Sequence, residues 1–232
     1  MNKRIESIVP ARPLKEFTKK RVVYFPVDSS SNVIRNELKQ RANKEVNLGY
    51  SQLYLLKDTV VLYQCIGAPA AVLFLECLIA SGAEEIILLG FCGSLNPKYT
   101  IKNVVSISKA FSEEGTSRHY FPRRKYCRPS FALKDKIEKI LRSSRLSFSE
   151  ATVVSTDAPC RETKTWLELK QKKGIEVVDM EASAVFFLAE FWSIESAALM
   201  IVSDELWSGT WKKGFSDPGL EEKIKEYYFK FL

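Results

Sequence analysis

The chain has a single histidine, His119, in 232 residues. One imidazole cannot build a multi-histidine metal centre or a helical H-E-x-x-H zinc site, so zinc-dependent proteolysis is excluded and no metal is expected. The five cysteines, Cys65, Cys77, Cys92, Cys127 and Cys160, are odd in number, widely spaced and lack a C-x-x-C pair. They are expected to be reduced thiols of a cytoplasmic protein. Glycine (10) and proline (9) are too sparse for collagen-like or low-complexity sequence. The longest apolar run, Ile66–Ala80, is interrupted by Glu76 and falls short of the roughly 20 residues of a membrane span. Residues 1–17 contain Lys3, Arg4, Glu6, Arg12, Lys15 and Glu16 and no apolar h-region, so export is not expected.

What is present suits one globular domain. Hydrophobic residues make up 46% and charged residues 27%, enough for a single core at this length. Lys and Arg exceed Asp and Glu by 35 to 28, a net +7, which permits an anionic partner, large or small, without requiring one. The basic run Arg118, Arg123, Arg124, Lys125 and Arg128 is interleaved with Tyr120, Phe121 and Tyr126. No RNA-binding motif accompanies it, and a solvated loop accounts for it.

Residues 1–20 lack periodicity and read as an arm, suited to packing on a neighbouring subunit; residues 21–232 read as one domain. Short β-branched runs predict strands at Val22–Phe25, Val60–Cys65, Ile86–Leu89, Val104–Ile107, Ala151–Ser155, Ile175–Val178 and Ala197–Val202. Helices are predicted at Asn32–Arg41, Ala70–Ala80, Leu133–Arg142, Glu162–Lys172, Met180–Trp192 and Leu220–Phe229. The polar turn Asp28–Asn32 supplies N-cap residues for the first of these. Such alternation predicts an α/β fold whose largely parallel sheet is covered on both faces. Ligands of open α/β sheets collect at the carboxyl ends of the strands. Four polar segments lie at such ends: Gly90–Ser94, Ser155–Asp157, Asp179–Glu181 and Ser203–Glu205. They are expected to converge on one rim.

Two of these segments carry carboxylates. Glu181 opens an apolar helix and reads either as a cap favoured by the helix dipole or as a buried acceptor for sugar hydroxyls. Asp204 reads either as an N-cap or as a general acid beside a leaving group.

Taken in order, the motifs resemble the nucleoside phosphorylase-I superfamily, in particular its uridine-phosphorylase-like branch. They are Gly67-Ala68-Pro69, Gly90-Phe91-Cys92-Gly93-Ser94-Leu95, Glu114–Tyr120, Thr156–Thr163, Asp179-Met180-Glu181-Ala182 and Val202-Ser203-Asp204. The resemblance spans residues 22–215. It implies a three-layer α/β/α sandwich with a mixed central sheet, assembled as a homo-oligomer, dimer or hexamer. The implied reaction is cleavage of a nucleoside's N-glycosidic bond by phosphate in salvage metabolism, with no cofactor beyond phosphate as co-substrate. Under that resemblance Met180 packs under the ribose, Glu181 binds its hydroxyls and Asp179 stands where many relatives have Glu. Asp204 assists a departing purine, Arg161 and Glu162 lie in the base-reading segment, and His119 falls in a further site motif. Phe91 and Cys92 face the substrate, while backbone N–H groups of Gly67, Cys92, Gly93 and Ser94 are offered to phosphate.

The phosphate site departs from the family pattern. Pro26–Ser31 replaces a Gly-Asp-Pro-x-Arg loop, Leu88 stands for an Arg and Phe91 for a Ser or Thr. Arg35, Arg118 or Arg12 are candidate substitutes. A hydrolase using water, with Asp28, Asp179 or Glu181 as base, is the competing reading, and a catalytically silent nucleoside binder is a third. Trp207 and Trp211, followed by Lys212, Lys213 and Phe215, read as a loop closing over the base or as a plug at a subunit contact.

Overall fold

The computed structural model describes residues 7–14 and 16–232. The arm residues Lys3, Arg4, Glu6 and Lys15 lie outside the described residues. Strand β1, Arg21–Phe25, shows how the layers arise. Side chains of a strand alternate between faces, and here Val22 and Tyr24 enter one core while Val23 and Phe25 enter the other. Helix α1, Val33–Arg41, follows. Its first free N–H groups are taken by Asp28, whose carboxylate accepts from Ile34 N at 3.0 Å and Arg35 N at 2.9 Å. Asn32, at φ 53°, contributes no side-chain cap.

The chain then forms the hairpin β2, Lys44–Asn47, and β3, Gln52–Leu55, before β4, Thr59–Tyr63, and α2, Ala68–Ala80. Strand β5 runs from Glu85 to Ser94, so the glycine-rich stretch expected to be a loop is strand. After β6, Val104–Ser112, come the short α3, Ser117–Tyr120, and β7, Tyr126–Cys127. Next are α4, Phe131–Ser143, β8, Ser149–Ser155, and a single tight turn, Pro159–Arg161. Helix α5, Lys164–Lys172, leads to β9, Val177–Asp179, and α6, Ala182–Trp192. Strand β10, Glu195–Glu205, is followed by β11, Lys212–Lys213, and α7, Pro218–Tyr227.

All strands join one sheet. Parallel pairings (β1–β4, β1–β5, β5–β10, β6–β8, β8–β9) are matched by antiparallel ones at β5–β9 and β6–β10 and in the hairpins. The sheet is therefore more evenly mixed than the alternation of elements predicts. Because β10 pairs with both β5 and β6, strands β5, β9, β8, β6 and β10 close on themselves. Helices α2 and α6 cover one face, and α1, α4 and α7 the other, giving the three layers expected.

The supposed arm joins the domain before residue 21. Leu14 N donates to Ser81 Oγ at 2.7 Å, and Phe17 is buried in the α2 face of the core. Both contacts are within the chain. Among the described residues no helix is long and apolar enough to cross a membrane.

Candidate functional site

The four polar strand ends do meet at one rim, linked by hydrogen bonds. Ser155 Oγ donates to Asp179 Oδ1 at 2.6 Å and accepts from Ser183 N at 2.9 Å, joining β8 to α6. Asp179 Oδ2 accepts from Glu181 N at 3.1 Å and Ala182 N at 2.7 Å, so Asp179 is the residue that caps α6. Glu181 does not cap its own helix. Its Oε1 accepts from Gly67 N at 2.7 Å, at the start of α2. Gly67 has φ 89° and ψ 146°, a conformation that costs a residue with a Cβ about 1–3 kcal/mol. The Gly67 N–H, expected to serve an anion, is thus already engaged by a carboxyl.

Burial raises Glu181 well above the usual carboxylate range, and the neighbouring charge of Asp179 adds to the effect. Burial also raises Asp179, against the hydrogen bonds from Ser155 and the first turn of α6. Neither forms an ion pair among the described residues, so no cation offsets desolvation. Met180 is half-buried between them.

Across β5 lies the second carboxyl. Gly93 is in register with Val178 of β9 on one side and Asp204 of β10 on the other. A Cβ at Gly93 would stand 2.6 Å from Leu206 Cδ1, 3.1 Å from Val178 Cγ1 and 3.3 Å from Asp204 Oδ2. The glycine makes room for these neighbours. Ladder pairing on both sides of β5, rather than an open turn, accounts for the backbone at Cys92, Gly93 and Ser94, so the expected phosphate loop is absent there. Asp204 lies within β10 and is no N-cap; its Oδ1 accepts from Ser203 Oγ at 2.7 Å and its Oδ2 from Trp211 Nε1 at 2.8 Å. Burial raises the Cys92 thiol, with Asp179 and Asp204 adding to it, so the thiol is within electrostatic reach of both halves of the rim. Phe91 points the other way, into the α1 and α7 layer, and does not share the face of Cys92.

Beside Asp204, Glu162, Trp166, Leu167, Leu206 and Trp211 line a cavity of about 230 Å³. A larger open cleft of about 430 Å³ lies by Thr100, Lys102, Glu205, Lys212 and Asp217. Four of its charges are paired, Lys102 to Asp217 at 3.0 Å and Lys212 to Glu205 at 3.2 Å.

The fold is shared with solved enzymes. The purine nucleoside phosphorylase of Toxoplasma gondii in complex with immucillin-H superposes with a TM-score of 0.77 at 20% identity, covering 98% of this chain and 96% of that one. A futalosine hydrolase mutant of Helicobacter pylori strain 26695 gives 0.72 at 17% identity, over 92% and 97% of the two chains. A family model described as the phosphorylase superfamily matches residues 24–218. The chain belongs to the phosphorylase superfamily. Among curated relatives of this superfamily member, the DeoD-type purine nucleoside phosphorylase of Clostridium novyi (strain NT) is 28% identical over 163 residues, covering 69% of the chain and 70% of that protein.

Several expected site residues differ from these in burial. His119, on α3, is exposed, as are Arg118 and Arg161, and Arg12 is exposed near the N-terminus. Arg35 is half-buried with its Nε unpartnered; its Nη2 lies 3.4 Å from Gln52 and Gln64. Leu88 is fully buried. Two residues were given no role by the sequence reading, Glu114 although it opens one of the motifs. Glu114 is buried and accepts from Ser112 Oγ at 2.7 Å, Ser117 N at 2.9 Å and Ser183 Oγ at 2.9 Å, tying α3 to α6. Burial acts to raise it, but these hydrogen bonds prevail and hold it below the usual range. Trp166 was passed over because one apolar residue at helical spacing carries no functional signal.

Proposed function

We propose that this chain cleaves the N-glycosidic bond of a purine nucleoside, with phosphate as the acceptor. The observation that carries this reading is the placement of two buried carboxyls, Glu181 and Asp204, on either side of β5, with an aromatic-walled cavity at the Asp204 end. Glu181 and Met180 serve the ribose, and the Asp204 end serves the base. Bond cleavage leaves positive charge on the sugar. Held close to neutral by burial and by Asp179, Glu181 gains most as a carboxylate when that charge appears, so its interaction strengthens in the transition state. The chemistry calls for no organic cofactor. Assembly with further copies of the chain is part of the proposal, because Ile66, Leu73 and Phe191 stand exposed on the α2 and α6 layer.

The purine nucleoside phosphorylase relative supports phosphate as acceptor. Hydrolysis is the second reading, and a specific observation favours it: neither Asp179 nor Glu181 has a cationic partner, and Leu88 is sealed in the core. Burying a phosphate dianion without a cation is costly. Product analysis on a nucleoside panel, with and without phosphate, separates the two. Phosphate-dependent formation of ribose 1-phosphate is expected; free ribose at an unchanged rate without phosphate establishes hydrolysis. Glu181→Gln should lower turnover about a hundredfold, and near-normal activity would remove Glu181 from the mechanism.

A further inference from the structure

The two carboxyls at the base end of the rim differ in what they are free to do. Asp204 has both oxygens engaged, Oδ2 by Trp211 Nε1 and Oδ1 by Ser203 Oγ. An indole N–H only donates, so Oδ2 is committed as an acceptor. The carboxyl of Glu162, by contrast, makes no hydrogen bond and no ion pair among the described residues. It follows the turn Pro159–Arg161 and opens on the cavity walled by Trp166, Leu206 and Trp211.

Both indoles of the cavity wall are held by hydrogen bonds. Trp166 Nε1 donates to Glu113 Oε2 at 2.8 Å, and the Lys170 ammonium, buried and paired with the same Glu113, lies 5.2 Å from the indole. Trp211 is held by Asp204 and covered by Lys213 at 4.4 Å. Two anchored indoles and a free carboxyl lining one cavity suit a flat heterocycle that needs a proton.

We propose that Glu162, rather than Asp204, is the proton donor to the departing base. The assignment rests on the glycosidic-cleavage reading above. In the step, the glycosidic carbon–nitrogen bond breaks and its electron pair stays with the base. The Glu162 O–H proton passes to a ring nitrogen of that base, and an oxygen of phosphate, or of a water that gives up a proton to solvent, bonds the anomeric carbon. Glu162 is left as a carboxylate and regains a proton from solvent. Asp204 acts as a positioning residue: it orients Trp211 and its charge keeps the neighbouring carboxyl protonated. Burial first, and the charge of Asp204 second, push Glu162 up to about 7, the range in which a general acid works at neutral pH. The charged groups around it are Asp204 from β10 and Lys164 from its own segment.

The test compares inosine with its N7-methyl derivative, whose base departs without needing a proton. Glu162→Gln should lose about a hundredfold or more in kcat on inosine, with KM little changed, yet stay within about threefold of wild type on the methylated substrate. The wild-type rate on inosine should fall above about pH 7 while that on the methylated substrate does not. Glu162→Asp, with thermal melts on both variants, guards against misfolding and should restore part of the inosine rate. Equal loss on both substrates, or selective rescue by methylation in Asp204→Asn instead, overturns the assignment while leaving glycosidic cleavage intact. Wild-type protein that cleaves neither nucleoside overturns both.

Discussion

Glu181 is readable from its motif as an important carboxyl, but not as the partner of Gly67. The sequence places it at the start of α6, where capping is the ordinary expectation. Asp179 performs that task and leaves Glu181 to reach α2. A carboxyl that holds its proton more tightly in the folded chain than in the unfolded one stabilises the fold fully at pH values below its unfolded pKa. That contribution is lost as pH rises towards the folded-state value. Relative to Glu181→Gln, the wild-type protein should therefore lose stability to urea between about pH 5 and about pH 8. Parallel stability curves for the two proteins would mean that the Glu181 carboxyl is well solvated. Gly93 carries the same lesson about range. Its residue type suggests a phosphate-binding turn, whereas its actual constraint is contact with Leu206, Val178 and Asp204, which come from distant parts of the chain.

Among the elements, those with an apolar run of their own were legible. Predicted strands and helices recur with ends moved by a few residues, and the shifts have physical causes. Strands β5 and β10 outrun their apolar cores because each finds partners along Gly90–Ser94 and Ser203–Glu205, so polar residues there are held by pairing. The β2–β3 hairpin was missed because Lys44–Asn47 is largely exposed and shows no alternation. Its pairing with Gln52–Leu55 stabilises it instead. Helix α1 began where the polar turn indicates, but the cap comes from Asp28, six and seven residues before the N–H groups it accepts. Asp28→Ala should cost about 1–2 kcal/mol in chemical denaturation. The same change removes the acceptor of the Tyr63 hydroxyl, so a cost below about 0.3 kcal/mol would contradict both contacts.

At the scale of the molecule, the N-terminal segment is tied to the domain at Leu14 and Phe17. Phe17 is only 4% exposed and packs in the α2 face of the core, so Phe17→Ala should cost about 3–5 kcal/mol in a denaturant titration. A loss under about 1 kcal/mol would restore the segment to the status of a free arm. The closed circuit of β5, β9, β8, β6 and β10 is likewise a property of the whole, since no local pattern records that β10 pairs twice. Apolar periodicity, turn residues and motif order were enough, by themselves, to determine an α/β class, two buried faces and a rim rich in carboxyls, because burial pattern and local geometry are written in adjacent residues. Tertiary structure alone decided which of those groups are desolvated and which already have partners. Glu181 meets Gly67 across 114 positions of chain, Asp204 is taken by Trp211 and Glu162 is left free. Solvation, charge and hydrogen bonding depend on neighbours in space, and those neighbours exist only after the sheet has closed.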